Sequence, residues 1–235
     1  MTASASLLTE LIALGDEEKA AHAQGFFKTG PGEYGEGDKF LGIRVPVARQ
    51  VAKVWRDMAP RELIKVLRSE WHEARLVALL ILVDQYQRGT PERQQRIFDD
   101  YLANVRYINN WDLVDSSAHL IVGPHLPPGQ RGLLDQLAES KVLWERRIAV
   151  LATLHYIRKG EFTEILRLAE KLLNDKQDLM HKAVGWMLRE VQKRNNATAE
   201  AFLKLHYQQM PRTMLRYAIE RLPEKQRKAY LLGKV

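Results

Sequence analysis

The chain has 235 residues, 46% hydrophobic and 28% charged, a balance that suits a globular protein of one large domain or two small ones with a buried core. Its longest apolar run, Leu76 to Val83, is far short of the roughly 20 residues that span a bilayer, and the absence of cysteine excludes disulfides, thiol nucleophiles and cysteine-ligated metal centres. The net charge of +7 is uneven: residues 141–235 hold 20 Lys and Arg against 10 Asp and Glu, whereas residues 1–140 hold 16 against 19.

The first residues lack a basic stretch and turn acidic at Asp16-Glu17-Glu18, unlike a secretory signal, so a reducing cytoplasm is the expected compartment. Helical periodicity predicts an N-terminal helical pair over residues 1–27. Residues 28–39, with four glycines and a proline, are expected to form an exposed loop. They do not read as a phosphate loop, because no Gly-Lys-Ser/Thr follows and no strand precedes. Beyond them, helix-length segments run over Pro60 to Arg68, Pro91 to Leu102 and Phe162 to Leu172.

Between these lie segments that open on a large residue: Trp71, Trp111, Trp144 and Met180, separated by 40, 33 and 36 residues, with a further piece from Arg212. Paired helices near this period resemble HEAT units of roughly 40–47 residues. The fold class read from the pattern is all-α, an α-solenoid of HEAT-like repeats forming a single domain over 1–235. Its second helices are expected to line a concave, basic groove. A helical bundle with accidental self-similarity is the alternative.

Candidate chemistry lies in three places. In Tyr107-Ile-Asn-Asn-Trp-Asp-Leu-Val-Asp115 a helix is expected to start at Asn109 or Asn110, since Asn is a favoured N-cap. Asp112 is then explained as a capping or dipole partner. Asp115 stands four residues after Trp111, which places indole and carboxylate on one helical face. In His181-Lys-Ala-Val-Gly-Trp-Met-Leu-Arg189, small Ala183 and Gly185 point to close packing, and Lys182 and Arg189 flank Trp186 with positive charge. Trp186 reads either as an aromatic among cations on a nucleic-acid surface or as a core tryptophan with its N–H satisfied. Arg146 and Arg147, being adjacent, must point in different directions. Trp55, Trp71 and Trp144 read as packing residues.

The basic C-terminal part points to a polyanion, nucleic acid before membrane, with an ordinary solvated basic surface as the alternative. The seven histidines show no metal-binding spacing, and there is no Gly-x-Ser-x-Gly elbow. No metal or cofactor is expected.

Four fragments in order resemble the AlkD-like DNA glycosylases, HEAT-repeat enzymes that excise alkylated purines. They are Phe40-Leu-Gly-Ile43 with Pro46, Trp111-Asp-x-Val-Asp115, Trp144-x-Arg-Arg147, and Lys182-Ala-Val-Gly-Trp-x-Leu-Arg-Glu190. The resemblance implies hydrolysis of the N-glycosidic bond of N3-methyladenine and N7-methylguanine in duplex DNA by a monomer bound at the nucleoid. It assigns the catalytic carboxylate to Asp115, the aromatics beside the lesion's deoxyribose to Trp111 and Trp186, and a cation near the DNA backbone to Arg147. Lys182 and Arg189 are added as DNA-binding cations from their place beside Trp186, and the four principal residues are expected to converge on the concave face. The stretch 28–39 is longer and looser than in the family. Rival readings are a non-catalytic HEAT-repeat protein that binds branched or distorted DNA, and a scaffold for an acidic protein segment.

Overall fold

The computed structural model describes residues 2–235. Among these the chain forms sixteen α-helices and one 3₁₀ turn at Val105–Tyr107. No strand is present among the described residues, and extended backbone pairs only in an isolated parallel bridge between Lys39 and Trp71. None of the described helices is long and apolar enough to cross a membrane. This is the all-α, helical-repeat class expected. The chain divides into two compact units, Met1–Ser117 and Ala118–Val235.

The first unit holds α1 (Ala3–Ala13), α2 (Glu17–Phe26), α3 (Val45–Val54), α4 (Pro60–Leu67), α5 (His72–Arg88), α6 (Pro91–Ala103) and α7 (Trp111–Asp115). Their starts follow from local chemistry. Thr2 and Asp16 cap α1 and α2 by accepting from the backbone of Ala5 and Lys19, and Pro46, Pro60 and Pro91 occupy first turns where a missing N–H costs nothing. Helix α5 is the centre of the unit, with α1, α3, α4, α6 and α7 packed on it. That is why its run from Leu76 to Val83 is apolar on every side and shows no stripe. Burying Val77, Leu79 and Ile81 contributes roughly 1.5–3 kcal/mol each.

The second unit holds α8 (Ala118–His125), α9 (Gly132–Ala138), α10 (Leu143–Ala152), α11 (Leu154–Arg158), α12 (Thr163–Lys171), α13 (Asp178–Gln192), α14 (Asn196–His206), α15 (Arg212–Ala218) and α16 (Glu224–Leu231). Helix α10 packs on α8, α9 and α13, and α13 on α12, α14 and α15. Gly185 makes the last contact possible: a Cβ there would lie 2.5 Å from the Met214 carbonyl oxygen and 2.6 Å from Tyr217 Cβ. The close packing read from Ala183 and Gly185 is therefore real.

The expected loop at 28–39 is irregular, but it is not simply exposed. Its glycines let the chain turn back so that Asp38 enters the interior, with its carboxylate fully buried. Gly35 packs so tightly that a Cβ would meet the Phe27 carbonyl oxygen at 2.6 Å.

Candidate functional site

The polar centre of the first unit is built on the first turn of α5, where His72, Glu73 and Arg75 are all buried. Charges in such a place persist only when paired. The Glu73 carboxylate accepts the backbone N–H groups of Leu41 and Gly42 at 2.8 Å and of Ile43 at 3.1 Å. The Phe40-Leu-Gly-Ile43 fragment is thus a turn wrapped around a carboxylate. Gly42 has φ +82°, and a Cβ there would lie 2.2 Å from the Asp16 carbonyl oxygen, so only glycine fits.

His72 bridges two carboxylates. Its Nδ1 lies 2.8 Å from Asp38 Oδ2 and its Nε2 lies 2.8 Å from Asp112 Oδ2. Arg75 pairs with the other oxygen of Asp38. Asn110 gives its amide to Asp38 at 3.4 Å, and its own Oδ1 accepts the Trp111 N–H at 2.9 Å, which makes it the cap of α7. Burial works against a charge on His72, but the hydrogen bonds and charges of Asp112 and Asp38 outweigh it and raise the pKa to about 9. Burial likewise pushes the Asp38 carboxyl up, yet His72 and Arg75 leave it below its ordinary value. At neutral pH the ring is an imidazolium between two carboxylates.

Aromatic rings extend from this ion. Phe40 stacks on His72 at 4.4 Å, Phe27 stacks on Phe40 at 4.8 Å, and the Trp111 indole lies nearly parallel on Phe27 at 5.2 Å. Phe26 meets the Trp111 ring edge-on at 6.0 Å. A cation against aromatic faces gains about 0.5–2 kcal/mol. Beside this stack opens a cavity of about 500 Å³, with Phe27, Phe40, Arg44, His72 and Asp112 in its wall.

Of the predicted residues in this unit, Trp111 opens α7 and Asp115 closes it, both half-buried. The charge of Asp115 reaches the buried Tyr101, whose hydroxyl pairs with Ser117 at 3.0 Å; burial and this charge together push the Tyr101 pKa up. Asp112 is more than the capping or dipole partner expected, because its carboxylate is tied to His72.

The other predicted residues lie in the second unit. Arg147 on α10 is buried, and one guanidinium N–H donates to the Leu179 carbonyl oxygen at 2.6 Å. Its neighbour Arg146 pairs with Asp175 at 2.6 Å, so the two arginines take different partners on the segment 175–179. On α13, Trp186 is half-buried and its N–H donates to Glu190 at 3.3 Å. Burial tends to raise the Glu190 pKa, but Lys193 and Arg194 outweigh it and the net shift is downward. The N–H of Trp186 is thus satisfied, as the core reading has it, while the side chain is only half-buried. Lys182 pairs with Asp178 at 2.8 Å, and Arg189 with Glu220.

Asn110 is the cap expected of α7, whereas Asp38, His72 and Glu73 belong to none of the motifs read from the sequence. Their signal is a His-Glu-x-Arg cluster leading straight into the longest apolar run, where charges have no evident partner. Among the described residues no group of three or more His, Asp or Glu is arranged to hold a metal ion.

A family model described as "DNA alkylation repair enzyme" matches residues 7–222. The chain is also similar to a solved structure described as "Predicted DNA alkylation repair enzyme from Enterococcus faecalis". The TM-score is 0.67 at 18% identity, over 89% of this chain and 97% of that one, which establishes a shared fold. No curated protein matches the chain.

Proposed function

The chain belongs to the DNA alkylation repair enzyme family, and from that premise we propose that it is a DNA glycosylase acting on cationic alkylated purines, N3-methyladenine and N7-methylguanine, in duplex DNA. The observation that carries the reading is α7, a five-residue helix with Trp111 at one end and Asp115 at the other, anchored on a buried ion network.

Alkylation at N3 or N7 already makes the purine a good leaving group. The C1′–N bond breaks with its electron pair moving to the base, which departs neutral, and the sugar becomes oxocarbenium-like. The Asp115 carboxylate stabilises that positive charge electrostatically. Water then adds to C1′ and gives its proton to Asp115, leaving the free base and an abasic sugar. The family resemblance assigns Trp111 and Trp186 to the lesion's deoxyribose, where an aromatic face adds cation–π attraction. Arg147, Lys182 and Arg189 hold the DNA backbone. No acid is needed for the leaving group, and no metal or cofactor enters the reaction.

In this reading the protein works as a monomeric single domain in the cytoplasm, on nucleoid DNA. Its test is release of methylated bases from alkylated duplex DNA by the purified protein. Release of 3-methyladenine or 7-methylguanine without release of uracil from uracil-containing DNA is the expected result. Tight binding to branched DNA with no base release at any enzyme concentration would replace the reading with that of a non-catalytic binder.

A further inference from the structure

Helix α7 is only five residues long, and isolated helices shorter than about 12–15 residues are marginal, so backbone hydrogen bonds alone do not orient Trp111 and Asp115. Three attachments reach it from elsewhere in the first unit. Asn110 caps it while donating to Asp38. Asp112 is held by His72. The Trp111 indole lies on Phe27, which is stacked on Phe40 and tilted against His72. The polar and the aromatic routes meet at the His72 ring.

Building on the glycosylase reading, we propose that His72, held by Asp38, is a positioning residue for base excision that sets Trp111 and Asp115 by pinning Asp112 and the aromatic stack. The geometry demands a charged ring. Two carboxylates face its two nitrogens, and only the imidazolium carries an N–H on both. When the ring loses a proton, one contact must fail. Asp38 is sealed in and also bound to Arg75, whereas Asp112 is partly open to solvent, so Asp112 is the one released.

The surrounding charges leave this titration to the ring. Asp38 from the loop and Asp112 from α7 face it directly, and Arg75 shares Asp38. Glu73 is occupied by three backbone N–H groups of residues 41–43. Lys19, His22, Arg44, Asp16 and Glu18 line the same cavity, Lys19 being paired with Asp16. Release is accordingly expected near pH 9.

The experiment is single-turnover release of 7-methylguanine from methylated duplex DNA, from about pH 7 to about pH 10, with DNA affinity measured alongside. Wild type should lose about tenfold in rate or more across pH 9 while its Kd for DNA stays within about twofold. His72→Gln should be about 10–100-fold slower near pH 7.5, the usual cost of removing a group that orients a functional one, and nearly insensitive to pH. His72→Arg keeps a planar cation able to serve two carboxylates and to stack on Phe40. It should recover most of the rate and hold it to about pH 10.

A level wild-type profile, an Arg variant no better than Gln, or loss of DNA affinity in step with rate overturns the proposal. Should no variant release base at any pH, the glycosylase reading fails, and positioning is read from Trp111 fluorescence, isolated by difference from Trp111→Phe. A transition near pH 9 in wild type supports the role of His72 without turnover or a foldable variant. A flat signal to about pH 10 refutes it.

Discussion

The two units carry their charges in opposite ways. In the first, Asp38, His72, Glu73 and Arg75 are buried together at the start of α5, each bound by groups it cannot exchange for water. In the second, Lys182 of α13 pairs near the surface with Asp178 one turn away, and half-buried Arg189 reaches the more exposed Glu220. Removing one partner of a buried pair strands the other, so such a network holds one geometry. An exposed pair is worth at most about 1 kcal/mol and yields its cation to a stronger anion at little cost. The first arrangement suits an indole and a carboxylate that must be held still, and the second suits phosphates that arrive and leave. The second unit also holds buried charge, in Arg147 bound to a backbone carbonyl and in Glu190 bound by Lys193 and Arg194.

The largest effect should come from breaking the buried set. Glu73→Ala removes the acceptor of three backbone N–H groups and should cost about 3–5 kcal/mol of stability. Denaturant unfolding measures it. A loss below about 1 kcal/mol would mean that the turn at residues 40–43 is held by other contacts, and the contrast between units would lose its basis.

Next in size is Asp115→Asn, which keeps the shape of α7 and removes the charge assigned to the oxocarbenium-like sugar. Base release should fall about 10²–10³-fold while DNA binding stays equal or tightens, because a charge that repels phosphate is gone. Near-wild-type release by this variant would exclude Asp115 as the stabilising group and leave α7 as a binding element only.

How far these roles could be read from the chain depends on the distance between partners. Trp111 and Asp115 were legible because four residues make one helical turn, and Asn110 because caps are local chemistry. The repeats were legible through helical periodicity, with Pro60–Leu67 and Thr163–Lys171 within a residue of the expected limits. The role of Asp112 was not legible: a first-turn acid has a sufficient local explanation, and its real partner, His72, lies 40 positions away. Asp38 was hidden in a glycine-rich stretch whose composition marks a turn without saying that the turn points inward. The histidines lack metal-binding spacing, and no spacing in the chain marks a ring that serves two carboxylates. In the second unit, Lys182 with Asp178 follows from helical spacing, whereas Arg189 with Glu220 needs the packing of α13 on α15.

The third effect separates the units by pH. His72 holds its proton to about pH 9 in the folded chain against 6.5 as the ordinary value. Its contribution is complete below about pH 6.5 and declines as pH rises, because the unfolded chain gives up a proton that the folded chain keeps. Stability should therefore fall between about pH 6.5 and 9, by on the order of 2–3 kcal/mol, and level off above. His72→Gln should lose that slope. A wild-type urea midpoint that stays constant across the window would show that the ring is neutral between its carboxylates.

The smallest effect tests the other half of the contrast. Lys182 and Asp178 form a partly exposed pair four residues apart on α13, worth about 0.2–0.5 kcal/mol. Lys182→Ala should leave stability within that margin and, at saturating DNA, leave the excision rate unchanged. Its consequence should appear in binding. A cation that exchanges its carboxylate for a phosphate releases about one counterion from the DNA, so the slope of log K against log salt should drop by about one, with the same loss on every DNA sequence. Binding titrations at several salt concentrations on unrelated duplexes measure both. An unchanged slope would remove Lys182 from the DNA footprint, and a drop in excision rate at saturation would place it among the groups that hold the lesion.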